Sequence, residues 1–166
     1  MIDRFTVEHR EHVSTRVFEE VVAALEEATG SVENGGFTED VSGVKNVADF
    51  ETRTRARIGA SDFTRFLTID HGSWLPLYGI AAKCRMYTIG NPLIARTMLM
   101  HDIGAGLNVP LKVMIYEDAK SGTTRFAYDL PSSLMSRLGN ADVTSAAWAL
   151  DAKLAALAEL VTGAKA

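Results

Sequence analysis

Two histidines occupy positions where imidazole chemistry is worth weighing. His71 follows Asp70 at the end of an apolar run, and His101 precedes Asp102 at the end of a helical pattern. Imidazole changes charge near neutral pH, so it suits proton transfer, and its ring nitrogens bind metals. A histidine at a helix C-terminus is equally well accounted for by the helix dipole. Neighbours in sequence are also weak grounds for a side-chain pair, so a structural role competes with acid–base chemistry at both. A metal set would join His71, His101, Cys84 and one of Asp70 or Asp102. No His-x-x-x-His or Cys-x-x-Cys spacing preassembles it, and neither a metal nor a cofactor is expected. His9 and His12 are three apart on an expected strand, which sends them to opposite faces. Cys84 alternates with Met86 and Thr88 and reads as a small core residue. His71-Gly72-Ser73 is no nucleophile elbow. Gly104-Ala105-Gly106 lacks the third glycine and the preceding strand of a dinucleotide fingerprint, and no phosphate loop is present.

The more informative segment is Tyr87-Thr88-Ile89-Gly90-Asn91-Pro92. An apolar strand runs into Gly-Asn-Pro and then into a helical pattern. Asn is a good N-cap and Pro fits the first helical turn. The junction is therefore expected to offer free backbone N–H groups to an anion, with Arg96 or Lys112 as counter-charge. Trp74 to Tyr78 is too apolar for an idle loop and would supply walls. The expected ligand-binding set is His71, Trp74, Tyr78, Asn91, Arg96, His101 and Lys112. His71, Asn91 and His101 are expected to line one cavity with Trp74 or Tyr78. His101 is the weak member, because a helix of about ten residues is roughly 15 Å long. The competing reading makes Asn91 a plain cap and Trp74 and Tyr78 core.

These residues need elements to hold them. Strands are expected at Phe5 to Val13, Phe63 to Asp70, Lys83 to Ile89, Leu111 to Glu117 and Thr123 to Tyr128. Odd positions Leu111, Val113 and Ile115 face one way, and Lys112, Met114 and Tyr116 the other. Helices are expected from Ser14 or Thr15 to a stop at Gly30, from Pro92 to His101, over Pro131 to Leu138, and from Asp142 to Val161. Ser31 to Ala60 is the least readable stretch. Its Arg53, Arg55 and Arg57 read either as a solvated surface or as a basic rim for an anionic ligand. In the last helix Val143, Ala147, Leu150, Leu154, Leu157 and Val161 form a narrow seam. The seam is expected to pack on the protein's own sheet or first helix. Trp148 lies off it and needs another burial partner, such as a second subunit, or stays partly exposed.

Composition bounds the rest. The chain has 166 residues, 47% hydrophobic and 23% charged, as in an ordinary soluble globular protein. One domain is expected over 1–166, with a core at 5–138 that includes an irregular insert at 31–60, and a C-terminal helix at 142–162. The formal net charge of −4 argues against nucleic acid as a partner. No apolar run approaches the ~20 residues of a membrane span, and the first residues do not read as a signal peptide. Cys84 is the sole cysteine, which excludes an intrachain disulfide and makes a reducing cytoplasm the expected location.

Several of these segments, taken in order, resemble a known family. They are Ile69-Asp70-His71, Gly90-Asn91-Pro92, Val109-Pro110-Leu111-Lys112-Val113 and Tyr116-Glu117-Asp118. Phe66 to Asp129 resembles the bacterial family of domains of unknown function numbered 302. Tyr128 to Leu134 is similar to a longer-chain branch of it. The resemblance implies a compact two-layer fold, commonly self-associating, and carries no activity with it. The insert and the final helix depart from the shorter pattern, and either would cover or reshape a site.

The expectation is thus an α/β domain of the α+β type, with two layers: helices packed on a mixed five-stranded sheet. It is expected to form a homodimer and to bind a small, partly apolar or anionic molecule. The alternatives are an enzyme using His71 or His101 as acid–base, or a structural or partner-binding subunit. A closed pocket with only apolar walls would favour binding.

Overall fold

The computed structural model describes residues 2–164. The chain begins with strand β1 (His9–Val13), helix α1 (Phe18–Ala28) and the two-residue strand β2 (Gly30–Ser31). Two helices follow, α2 (Gly36–Val41) and α3 (Val47–Arg57), before strand β3 (Thr64–Asp70). Two 3-10 turns, His71–Ser73 and Leu75–Tyr78, lead to β4 (Cys84–Gly90) and α4 (Pro92–Leu99). A 3-10 segment, Ile103–Asn108, precedes the hairpin of β5 (Leu111–Glu117) and β6 (Thr124–Asp129). Helices α5 (Pro131–Met135) and α6 (Ala141–Thr162) close the chain.

The strands form one sheet in the order β1-β6-β5-β4-β3-β2. All neighbours are antiparallel except β2 and β3, so the sheet is mixed. It has six strands rather than five. The extra one is β2, whose two residues straddle the start of the stretch the sequence left unread. The first strand is also shorter than expected and starts at His9.

Strand alternation divides the sheet into two faces. Tyr87, Ile89, Leu111, Val113, Ile115 and Phe126 are buried beneath the helices. Met86, Met114, Lys112 and Leu67 lie on the opposite face. His9 and His12 do fall on opposite faces: His9 pairs with Asp129, while the His12 ring stacks on Tyr128. Burial pushes the His12 imidazole down from its ordinary value.

The α6 seam is buried along its whole length at Val143, Ala147, Leu150, Leu154, Leu157 and Val161. It packs within the chain, against α1, α4 and α5. Asn140 caps α6 by accepting from the N–H groups of Asp142 and Val143.

Gly30 does not end α1 in a left-handed turn. Thr29 ends the helix, its hydroxyl donating to the Leu25 carbonyl at 2.7 Å. Gly30 is glycine for a steric reason. Its N–H donates to the Phe63 carbonyl at 2.9 Å, as does the N–H of Gly59. A Cβ on Gly30 would fall on the Arg57 carbonyl, and one on Gly59 on the backbone of Ala28 to Gly30. The two glycines let the returning insert touch the end of α1. Gly59→Ala is therefore expected to cost about 3 kcal/mol in denaturant unfolding. Gly36→Ala, whose Cβ would meet only Val32 at an ordinary 3.7 Å, is the matched control and is expected to cost nothing. Equal stabilities for the two variants would refute the close-approach argument.

Candidate functional site

Strand β4 emerges from the core at Gly90 and turns into α4 at Asn91. A Cβ on Gly90 would press on Pro110 at 3.1 Å and Phe66 at 3.4 Å, so glycine lets these rings close over the strand end. Asn91 caps α4 as expected. Its Oδ1 accepts from the Leu93 N–H at 2.9 Å, and its carbonyl accepts from Ile94 at 3.0 Å and Ala95 at 2.8 Å. Pro92 has no N–H. The Asn91 Nδ2 donates to the Asp62 carbonyl at 2.9 Å. Both ends of the amide, and the donors of the first turn, are thus engaged within the protein. The expected open anion cradle is not there, because the cap and the Asp62 strap consume it.

What lies beside Asn91 is a cavity of about 540 Å³. Phe37 of α2, Phe50 of α3 and Phe66 of β3 supply aromatic walls. The Phe37 and Phe66 rings meet edge to face at 5.3 Å. Ile94, Met98 and Leu99 of α4, the Val109–Leu111 segment and Leu150 of α6 complete it. Arg96 reaches the lining too, with Nη1 3.5 Å from Glu51 of α3.

The insert therefore supplies two of the three aromatic walls. Its arginines do not form a free basic rim. Arg53 pairs with Asp49 at 3.1 Å, Arg55 with Glu51 at 3.0 Å and Arg57 with Asp40 at 3.2 Å. Phe37 and Phe50 are the lining residues that sequence reasoning passed over. Their signal was that they are the two aromatic residues of the stretch from Ser31 to Ala60.

His71, Trp74 and Tyr78 sit elsewhere. Strands β3 and β4 are antiparallel, with Thr64 opposite Gly90 and Asp70 opposite Arg85. His71 continues from the Asp70 end and Asn91 from the Gly90 end, roughly 20 Å apart along the ladder. The shared cavity expected for His71 and Asn91 does not form, because an antiparallel pair puts consecutive strand ends on opposite edges. At the His71 end the rings form an open ladder: His71 to Trp74 at 5.9 Å, Trp74 to Tyr78 at 6.2 Å. Trp74 and Tyr78 are exposed, not core. Asp70 does not serve His71. Its carboxylate takes the Arg85 guanidinium at 2.8 Å and the Ser73 N–H at 3.2 Å. Lys112 is exposed on the sheet face away from the cavity, opposite Thr88.

His101 lies near the far end of α4, where a second, more open recess of about 520 Å³ runs between α4 and α6. Its Nδ1 is 3.7 Å from the Asp142 carboxylate. Asp102 instead caps the next turn through the Gly104 N–H at 2.7 Å.

Other reactive groups are structurally committed. The Tyr87 hydroxyl donates to Glu26 at 2.8 Å beneath α1, and burial pushes it far above its ordinary range. Burial, and then Asp70, push the Cys84 thiol up, the wrong direction for a nucleophile. Among the described residues no three His, Cys, Asp or Glu side chains gather as a metal would require. No helix there is long and apolar enough to cross a membrane.

The model of the domain of unknown function DUF302 matches residues 37–161, and the chain belongs to that family. No curated protein matches it. A crystal structure of an uncharacterized conserved DUF302 protein from Bacillus stearothermophilus is similar in fold, with a TM-score of 0.65 at 17% identity. The similarity covers 92% of this chain and 97% of that one.

Asn91→Ala is expected to cost about 1 kcal/mol for the cap and about 1 kcal/mol more for the orphaned Asp62 carbonyl. Asn91→Ser keeps a neutral cap acceptor and withdraws the donor from Asp62, so it should recover about half of that in urea unfolding. If Asn91→Ser is as stable as the parent, the strap to Asp62 contributes nothing.

Proposed function

We propose that this member of the DUF302 family binds a small apolar molecule in the cavity beside Asn91, in a binding role rather than a catalytic one. The observation that carries the reading is the lining. Three phenylalanine rings from three separate elements converge on one space of about 540 Å³. That size falls within the range of small-molecule sites, about 300–1,000 Å³. The alternative of histidine acid–base catalysis would need an imidazole at the cavity, and both candidates lie at other places: His71 beyond the opposite end of β4, His101 in the second recess.

A homodimer is proposed alongside. Trp148 is 63% exposed on α6, away from the buried seam, and a large exposed ring is a common anchor between subunits. A reducing compartment such as the cytoplasm would suit the free Cys84.

The binding reading is tested with N-phenylnaphthylamine, a neutral apolar dye whose fluorescence rises on leaving water. The wild-type protein should bind it saturably. Ala95→Phe, which puts a ring into the cavity from the half-buried wall of α4, should weaken binding at least tenfold while the far-ultraviolet dichroism stays unchanged. Saturable binding that Ala95→Phe leaves untouched would place the dye elsewhere and end the reading. For the dimer, light scattering at high micromolar concentration should give twice the chain mass, and Trp148→Ala should lower it. A monomeric parent protein would remove the dimer.

A further inference from the structure

Among the residues lining the cavity, only Asn91 and Arg96 carry a strongly hydrogen-bonding side chain. Asn91 has nothing left to offer: its oxygen caps α4 and its amide holds the Asp62 carbonyl. Arg96 has donors to spare. A guanidinium presents five N–H donors in a rigid fork. One of them reaches Glu51 at 3.5 Å, the outer limit of a hydrogen bond, and Glu51 is the side chain's one partner among the described residues.

Arg96 is also in electrostatic surplus. Glu51 accepts more closely from Arg55, at 3.0 Å, so one carboxylate stands between two guanidinium groups. The neighbouring acids of α2 and α3 are taken, Asp40 by Arg57 and Asp49 by Arg53. Glu39 lies two residues after Phe37 on α2, about 200° round the helix from that wall. On the Asn91 side Asp62 and Lys153 neutralise each other. The rim between α3 and α4 therefore carries a net positive charge, while the walls below it are aromatic and aliphatic.

Building on the reading of the cavity as an apolar binding site, we propose that its ligand is an aromatic carboxylate. The ring lies among Phe37, Phe50 and Phe66, and the carboxylate meets the Arg96 guanidinium at the rim.

Each half of such a molecule finds what it needs. Aromatic rings pack edge to face, as Phe37 and Phe66 already do at 5.3 Å. A carboxylate drawn into an apolar interior would lose its hydration. The Arg96 side chain is 64% exposed, so a carboxylate beside it keeps water on its outer side while the fork takes its oxygens. Glu51 need not be displaced, because the ligand uses donors that Glu51 leaves. Water screens a pair this exposed, so burial of the ring supplies most of the affinity and Arg96 supplies the preference for negative charge.

Competition against N-phenylnaphthylamine at neutral pH provides the test. 2-Naphthylacetate, 2-(2-naphthyl)ethanol and 2-(2-naphthyl)ethylammonium share one ring and differ in the head. The acetate should displace the dye about fivefold more tightly than the alcohol, the upper range for an exposed charge pair. Arg96→Met, an exposed substitution that keeps the length of the stem, should close that gap and leave the alcohol and the dye unchanged. Glu51→Gln, which removes the competing carboxylate, should widen it. Nonanoate, an acid without a ring, should compete more weakly than the acetate. If the alcohol competes as well as the acetate, or the gap survives Arg96→Met, the proposal falls while the cavity reading stands. If the ammonium compound is tightest, Glu51 governs the rim and the sign of charge is wrong. If nonanoate matches the acetate, the walls do not select a ring and the aromatic class is wrong. If the dye itself fails to bind, the cavity reading fails and takes this proposal with it.

Discussion

The cavity side of this protein is held by a single joint, the turn that carries the chain from α3 into β3. Its backbone bonds converge on one carbonyl: Phe63 accepts from both Gly30 and Gly59 at 2.9 Å. Ser61 adds two bonds to the Ala28 carbonyl, one from its N–H and one from its hydroxyl. Asp62 lies in the left-handed region at φ 67°, a conformation that costs a non-glycine residue about 1–2 kcal/mol. The cost is met by what the residue then reaches. Its carbonyl receives the Asn91 amide and its carboxylate the Lys153 ammonium. One strained residue thereby joins the end of the insert, the start of α4 and the middle of α6.

From that joint the cavity follows. The insert cannot lie flat on solvent, because α2 and α3 each carry a phenylalanine with no place in the main core. The joint fixes where α3 ends, and the Arg57–Asp40 and Arg96–Glu51 pairs tie α3 to α2 and to α4. Exposed ion pairs of this kind contribute only a few tenths of a kcal/mol each. They orient the helices, while the stabilisation comes from the Phe37–Phe66 contact and the backbone bonds of the joint. The space left between Phe37, Phe50 and α4 is thus a consequence of anchoring the insert at its ends rather than along its length.

Legibility in the sequence followed periodicity. Strands β3 to β6 and helix α6 announced themselves, because alternation and the four–three seam each repeat for several turns. Asn91 was legible as a cap because capping is local grammar. The error lay in what the cap leaves free. Whether its N–H groups face a ligand or the protein depends on Asp62, twenty-nine residues away, and no local pattern carries that. The insert was unreadable for the same reason. Its helices are short, and what orders them is the contact of Gly30 with Gly59, which sequence spacing does not reveal. His71 and Asn91 were joined on the assumption that strand ends close in sequence are close in space. In an antiparallel ladder consecutive ends alternate between edges.

That alternation also separates the groups on which the functional readings rest. The His71 edge has aromatic rings but leaves them open to water, and its one carboxylate is spent on Arg85. Charged and apolar groups there do not face a common enclosed space. On the Asn91 edge three phenylalanine rings converge on one cavity, with Phe50 and Phe66 half-buried and Phe37 more exposed. Proton transfer would require a titratable group pressed against a desolvated substrate. Neither His71 nor His101 lines the phenylalanine-walled cavity, and its lining instead suits the burial of apolar surface.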